Sequence, residues 1–307
     1  SFDQDSVKKK FNEMQASNLC LVENIRFLKE EENIDLNFAK KISNLFDVYV
    51  NDAFSASHRN HTSIIGFPKF LPAVAGNHMI NEIDNINFFL DNVKKPNMAI
   101  VGGSKISTKI TLLNNLVEQF SVVAIGGAMA NTFLLANNYN IGKSMVEKDL
   151  INEANKIKLK AERLNCELIL PIDVVCGKNI NDTNPNLRKI NEILPEEMIL
   201  DIGQISTQSI NNKVNNSKMV LWNGPVGAFE FKPYDRATNA IANNIKLNAK
   251  KHNINTLAGG GDTVSAIKNT NAEDGFNYIS NAGGAFLEWL EGNESPGVKI
   301  LKQNKLS

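Results

Sequence analysis

The sequence predicts an α/β protein of two Rossmann-like lobes: a C-terminal lobe with a complete doubly wound parallel sheet, and an incomplete N-terminal lobe. Three observations carry this. From Asn97 onward a short β-branched run, a glycine cluster and an amphipathic stretch recur in that order. Strands alternating with helices imply a parallel sheet covered on both faces, with right-handed crossovers. The first 70 residues, by contrast, hold only fragments of such a unit.

Taken in order, Ser1–Lys10 reads as a polar helix entered midway, with no initiator methionine. Within a partial first domain, 1–71, Leu19–Phe27 and Phe46–Asn51 read as strands around a helix near Asn37–Leu45. Two or three strands do not make a stable two-faced sheet. Residues 72–93 carry a long amphipathic pattern, started by proline and ending near Asn92, which is expected to join the lobes. The second domain, 94–291, opens with Met98–Val101, then Gly102-Gly103 and a helix from Lys105 to about Phe120. Val122–Ile125 leads to Gly126-Gly127 and a helix through Ala136; Leu168–Val175, Met198–Ile202 and Met219–Trp222 are further strand runs. A helix near Tyr234–Lys251 precedes Asn255–Ala258, the glycines 259–261 and a helix Thr263–Lys268. Tyr278–Ser280, Gly283-Gly284 and a helix near Ala285–Glu291 close the domain. The tail, 292–307, is too short for a domain and is expected to return toward the first lobe.

Composition narrows the function. With 307 residues, 42% of them apolar, the chain is long enough and greasy enough for two cores. Lys+Arg and Asp+Glu stand at 33 each. Zero net charge argues against nucleic acid as a partner, so an anionic ligand must be held by local geometry. Cys20, Cys166 and Cys176 are scattered, without metal-ligand spacing, as in a reduced cytoplasmic protein with buried thiols. No apolar run approaches the roughly 20 residues of a membrane span, and no signal-peptide pattern opens the chain.

The chemistry is expected beyond the carboxyl ends of the parallel strands. Four such ends, 102–103, 126–127, 259–261 and 283–284, carry consecutive glycines and then start a helix. Glycine lets backbone approach a phosphate, and a helix start offers free N–H groups and partial positive charge. Lys105 and Lys109 lie one turn apart after the first pair, where cations oppose the helix dipole unless an anion sits between them; two solvated surface lysines are the plainer alternative. Asp262 reads equally as an N-cap or as a ligand to a nucleotide-bound Mg²⁺. Asn223 ends a strand where it can donate to phosphate, and Glu230, just past that turn, is either a ribose acceptor or a surface carboxylate. Gly142-Lys143-Ser144 mimics a P-loop end but lacks the first glycine, with Asn137 in its place. His58 and His61 share helical spacing without a completing ligand set and read as structural. Arg26 and Arg59 follow strand-like runs and suit a fork clamp on carboxylate or phosphate.

Together these stretches resemble phosphoglycerate kinase, the bacterial form most of all. The matching blocks are ENIRF (23–27), DVYVNDAF…HR (47–59), AIVGGSKISTK (99–109), IGKS (141–144), LDIG (200–203), LWNGPVGAFE (221–230), GGGDT (259–263) and GGAFLE (283–288), in family order. The resemblance implies reversible phosphoryl transfer between 1,3-bisphosphoglycerate and ADP, giving 3-phosphoglycerate and MgATP, by a cytoplasmic monomer that closes about a hinge. It implies that Lys105 steadies the migrating phosphoryl and that Gly283 and Gly284 face it. Lys109 and Asn223 would meet the nucleotide phosphates. Gly260, Gly261, Asp262 and Thr263 would form the phosphate and Mg²⁺ site, Asp262 as metal ligand, and Glu230 would bind ribose. Arg26 and Arg59 would clamp the phosphate of phosphoglycerate.

The sequence also departs from the family. Its opening segment, with an Arg-Val-Asp-x-Asn motif and a His-Leu-Gly-Arg motif, is not among these 307 residues. The chain as given is therefore expected to hold nucleotide but to be inactive for lack of that substrate-binding segment, a non-catalytic nucleotide-binding fragment or binder being the alternative. Ala128 and Ala282 stand where glycine is frequent.

Overall fold

The computed structural model describes residues 8–11, 13–15 and 17–304. The first seven residues of the expected Ser1–Lys10 helix lie outside them. The chain forms two compact units, one of residues up to Asp84 together with those from Gly292, the other Asn85–Glu291.

The first unit contains α1 (Lys29–Glu32), α2 (Leu36–Ser43), β1 (Tyr49–Asn51) and β2 (Ala73–Ala75), the strands paired in parallel. Asp35 caps α2 by accepting from the Asn37 and Phe38 amides, and the helix buries Ala39 and Ile42. Two expectations fail here. Leu19–Phe27 is not a strand: Ile25–Phe27 is a 3₁₀ turn capped by Asn24, and Leu19 and Leu21 are 100% and 99% exposed. Among the described residues no strand pairs with this segment to supply the ladder that would fix an extended backbone. Nor does proline start the next helix. The Pro72 carbonyl accepts from Tyr49 N at 2.8 Å, so residues 73–75 become β2. Helix α3 (Asn77–Asp91) follows, and Asp52 Oδ1 accepts from Met79 N in its first turn.

The second unit begins with β3 (Asn97–Val101), α4 (Ile110–Gln119), β4 (Val122–Ile125), α5 (Met129–Ala136), α6 (Ile151–Arg163) and β5 (Glu167–Ile169). There follow β6 (Asp173–Gly177), β7 (Asn186–Lys189), β8 (Met198–Ile202), α7 (Gln204–Asn215), β9 (Met219–Asn223) and α8 (Arg236–Asn248). The unit closes with β10 (Asn255–Gly259), α9 (Gly261–Asn269), β11 (Tyr278–Ser280) and α10 (Gly284–Leu290). Six strands form an all-parallel sheet in the order β11-β10-β9-β3-β4-β5. Met98–Val101 and Met219–Trp222 are completely buried, as a strand covered on both faces requires.

The expected Leu168–Val175 strand is two strands, because Pro171 interrupts the run and cannot donate to a ladder. Its second half, β6, joins β7 and β8 in a separate antiparallel sheet, so neither it nor Met198–Ile202 extends the parallel one. The helix expected from Tyr234 starts at Arg236, and Tyr234 is instead buried with its hydroxyl on the Asp182 carbonyl at 2.6 Å. Cys166 and Cys176 are buried free thiols, pushed up to about 11 and about 12 chiefly by desolvation, but Cys20 is exposed.

In the first unit, α11 (Pro296–Gln303) packs beside β2; Gly297 N donates to the Ser57 carbonyl at 2.9 Å and Asn304 Nδ2 to that of Leu71 at 3.0 Å. Among the described residues no helix is long and apolar enough to cross a membrane.

Candidate active site

The chain leaves β3 outward through β4 to β5 on one side, and through β9 and β10 to β11 on the other. The switch point therefore lies between β3 and β9, where open α/β sheets place their ligands. The glycine clusters after β3, β4, β10 and β11 all stand at the carboxyl edge of this one sheet. The loops after β3 and β9 also interlock. Gly102 N donates to the Asn223 carbonyl at 2.9 Å. A Cβ on Gly102 would overlap the Pro225 carbonyl oxygen, and one on Gly224 the carbonyl of Gly102. Backbone packing thus explains these two glycines without any ligand. Gly261 and Gly283 differ, for a Cβ there would meet nothing within 4 Å, although Gly283, at φ +54, holds a backbone conformation that itself favours glycine. Internal packing leaves those positions open.

Lys109 occupies the centre of the switch point. Its Nζ donates to the Gly102 carbonyl and to Asn223 Oδ1, both at 2.6 Å, and to the Asn223 carbonyl at 3.3 Å. Burial pulls the ammonium down to about 8, against an opposing attraction from Asp262. Buried Asn223 also donates to the Gly259 carbonyl at 2.7 Å, and buried Thr263 Oγ1 accepts from Gly224 N at 2.6 Å. Asn223 thus ties α4, β9 and β10 together, and Thr263 ties α9 to the loop after β9.

Two local expectations change. Helix α4 starts at Ile110, not Lys105, so Lys109 is its N-cap residue and exposed Lys105 lies in the turn ahead of it. The Lys109 side chain folds back onto carbonyls and does not lie along the helix. Asp262 is not the N-cap of α9; Gly260 is, at φ +98, a conformation open to glycine. Asp262 stands exposed in the helix's first turn.

Beside this network opens a mostly apolar cleft of about 340 Å³, lined by Gly127, Ala128, Met145, Leu200, Val226 and Phe229, with Glu230 and Asp262 also on its wall. An adjoining, more polar cleft shares Phe229, Glu230 and Asp262. Three lining or neighbouring residues were not legible in the sequence. Asn131 donates to the Met145 carbonyl at 3.0 Å, while its own Oδ1 is buried without a partner. Asp201 lies buried in the cleft wall, accepting from Ala237 N at 3.0 Å and Ile202 N at 2.9 Å; burial holds its carboxyl well above the usual range. Glu147 holds Ser107, in the turn that carries Lys105. Asn131 and Asp201 sit inside apolar runs, and Glu147 acts across 40 residues of sequence.

Arg26 and Arg59 belong to the other unit and are exposed. Arg26 lies in the 3₁₀ turn Ile25–Phe27, and Arg59 follows a second such turn, Phe54–Ala56. His61 Nδ1 stands 3.6 Å from the buried Glu31 carboxylate.

A doubly wound sheet whose glycine-bearing helix starts and half-buried lysine gather at the switch point has the architecture of a phosphate-handling α/β enzyme. Comparison with known proteins gives the family. The phosphoglycerate kinase family model matches residues 2–293. Phosphoglycerate kinase of Brucella abortus is 43% identical over 300 residues, covering 97% of this chain and 76% of that protein. The enzyme of Caulobacter vibrioides is 45% identical over 292 residues, covering 95% and 74%. The solved structure of phosphoglycerate kinase from Coxiella burnetii matches with a TM-score of 0.82 at 37% identity, over 92% of this chain and 73% of that one. The chain belongs to the phosphoglycerate kinase family.

Proposed function

We propose that this chain binds MgADP and MgATP at the carboxyl edge of its parallel sheet and serves phosphoryl transfer between 1,3-bisphosphoglycerate and ADP, with a carboxyl group as acceptor in reverse. The observation that carries this is the convergence of Lys109, Asn223, Thr263, Asp262 and the glycine-lined helix starts beside one apolar cleft. In this reading the base occupies the cleft, where an amino group would satisfy the unpartnered Asn131 oxygen, and Glu230 accepts from ribose. The phosphates lie along Gly260, Gly261 and Thr263, with Lys109 and Asn223 beneath and Lys105, Gly283 and Gly284 at the transferring end. Arg26 and Arg59 hold phosphoglycerate through its phosphate.

Among the described residues no three His, Cys, Asp or Glu side chains gather as a metal site. Magnesium does not need one, since it takes one or two carboxylates and fills its shell with phosphate oxygens and water. The single exposed carboxylate of Asp262, at the start of α9, fits that demand. The ion would supply charge neutralisation between phosphates. The protein's own part is alignment and electrostatic stabilisation, because a phosphate nucleophile and a carboxylate leaving group need no general base.

The test has two arms. Isothermal titration should show MgADP binding that Lys109→Ala weakens, and unchanged binding would count against the site. A coupled ATP-formation assay on these 307 residues then separates a slow kinase from a nucleotide binder without turnover. Turnover lowered on the order of 10³-fold is expected if the Arg-bearing family motifs not found here supply a transition-state arginine. The same protein is expected to be cytoplasmic, which fractionation of the cell checks, and monomeric, which sedimentation checks.

A further inference from the structure

The turn 104–109, which carries Lys105, is bridged to distant segments by Lys109 on Asn223 and, nearer Lys105, by Ser107 on Glu147. Glu147 Oε2 accepts from Ser107 N at 3.0 Å, and Glu147 Oε1 accepts from Ser107 Oγ at 2.6 Å. Both carboxylate oxygens thus engage Ser107, two positions from Lys105, and the carboxylate also accepts from the Ile106 backbone. Burial opposes ionisation of Glu147, but the bonds from Ser107 and the Ile106 backbone, with the nearby Lys105 charge, outweigh it and hold the carboxyl below its ordinary value. Glu147 is in turn fixed from behind. Its amide donates to Thr132 Oγ1 at 3.4 Å, and two residues earlier the Met145 carbonyl accepts from Asn131 Nδ2 at 3.0 Å. Segment 145–147 is therefore a strap. One end, Met145, lines the apolar cleft beside the first turn of α5, and the other end grips the lysine turn.

We propose that Glu147 is a positioning residue for phosphoryl transfer: it fixes Ser107, and through it the placement of Lys105 relative to a nucleotide in the cleft. This rests on the nucleotide reading above and goes beyond it, because Glu147 itself touches no substrate there. Without those bonds the turn keeps its buried Ile106 side chain and the Lys109 bonds to Gly102 and Asn223, but neither reaches exposed Lys105, which must then be ordered afresh on each binding event.

The experiment compares MgATP with MgADP binding by the full 307-residue chain, in Glu147→Ala, Lys105→Ala, the double variant and Glu147→Asp. Glu147→Ala is expected to weaken MgATP about five- to ten-fold while changing MgADP less than about two-fold, the scale of one or two charge-assisted hydrogen bonds spent on ordering. In the Lys105→Ala background the same change should have no further effect, since coupled residues are non-additive. Glu147→Asp, which keeps both acceptor oxygens, should restore part of the loss. If Glu147→Ala leaves MgATP affinity untouched, or weakens it equally with and without Lys105, the inference is wrong and the residue merely structural. A chain that binds neither nucleotide brings down the functional reading itself, and this inference with it.

Discussion

Nucleotide binding should draw a proton from solvent, and Lys109 sets the amount. In the free protein its ammonium sits among three oxygen acceptors at 2.6, 2.6 and 3.3 Å, yet desolvation lowers it from the ordinary 10.5 to about 8. A shift of that size corresponds to roughly 3 kcal/mol of disfavoured charge. Phosphate oxygens beside the ammonium favour the charged form and return it toward the ordinary value. Binding then takes up about 0.1 proton at pH 7, about 0.5 at pH 8 and about 0.9 at pH 9. Affinity for MgADP accordingly falls with rising pH, by about tenfold per unit above pH 8, until the complex itself titrates. Without ligand the sign reverses. Above pH 8 the unfolded chain keeps a proton that the folded one has lost, so this residue adds stability as pH climbs toward 10.5. The assay is titration calorimetry at each pH in two buffers of different ionisation enthalpy, repeated on Lys109→Met. Equal proton uptake by wild type and variant, or none at pH 9, would refute the assignment of the buried ammonium to the phosphate site.

Two further outcomes separate packing from function. Gly102→Ala forces a methyl into the Pro225 carbonyl and should cost about 3 kcal/mol or more in urea unfolding, whereas Gly261→Ala meets open space within a helix and should keep or raise stability by about 0.5–1 kcal/mol while weakening MgADP. Equal stability losses in the two variants would show that position 261 is structural as well. Asp201, with its carboxyl raised by burial, contributes stability that is full below the ordinary carboxylate range and lost as pH rises through the folded-state value. Asp201→Asn should therefore flatten the wild-type decline between acid and neutral pH, and parallel unfolding profiles would argue that the carboxyl is ionised in the fold.

What the sequence disclosed follows physical range. Met198–Ile202 and Tyr278–Ser280 are read to the residue, because an apolar run bounded by turn residues is a local signal. The glycine pairs and Lys109 were also visible, since tight turns and a cation at a helix start are local chemistry. Leu19–Phe27 misleads for the opposite reason: its composition suits a strand, but a strand exists only with a partner, and its leucines lie exposed. A start for α4 at Lys105 follows from the glycine pair just before it, but Ile106, Ser107 and Thr108 are weak helix formers and the Lys109 side chain finds its acceptors on Gly102 and Asn223. Glu147 and Asn131 were beyond reach, for their partners are set by the crossing of α5, the strap and the turn before α4.

A neutral chain that must hold a multiply charged anion has no long-range field to rely on, so the local arrangement must do all of it. Here the strongest local charge, Lys109, is already bonded to peptide and carboxamide oxygens. An arriving phosphate must replace those acceptors, and only the difference between the two sets of hydrogen bonds appears as affinity. Asn223 makes that exchange reversible. Its Nδ2 stays on the Gly259 carbonyl while its Oδ1 accepts from the ammonium, so it can release the lysine without itself becoming unpartnered. Replacing it with aspartate would put a fixed negative charge on Lys109, leave the Gly259 carbonyl without its donor and repel the nucleotide. Asn223→Asp should accordingly weaken MgADP by more than Asn223→Ala does, a ranking that no purely structural role for the asparagine predicts.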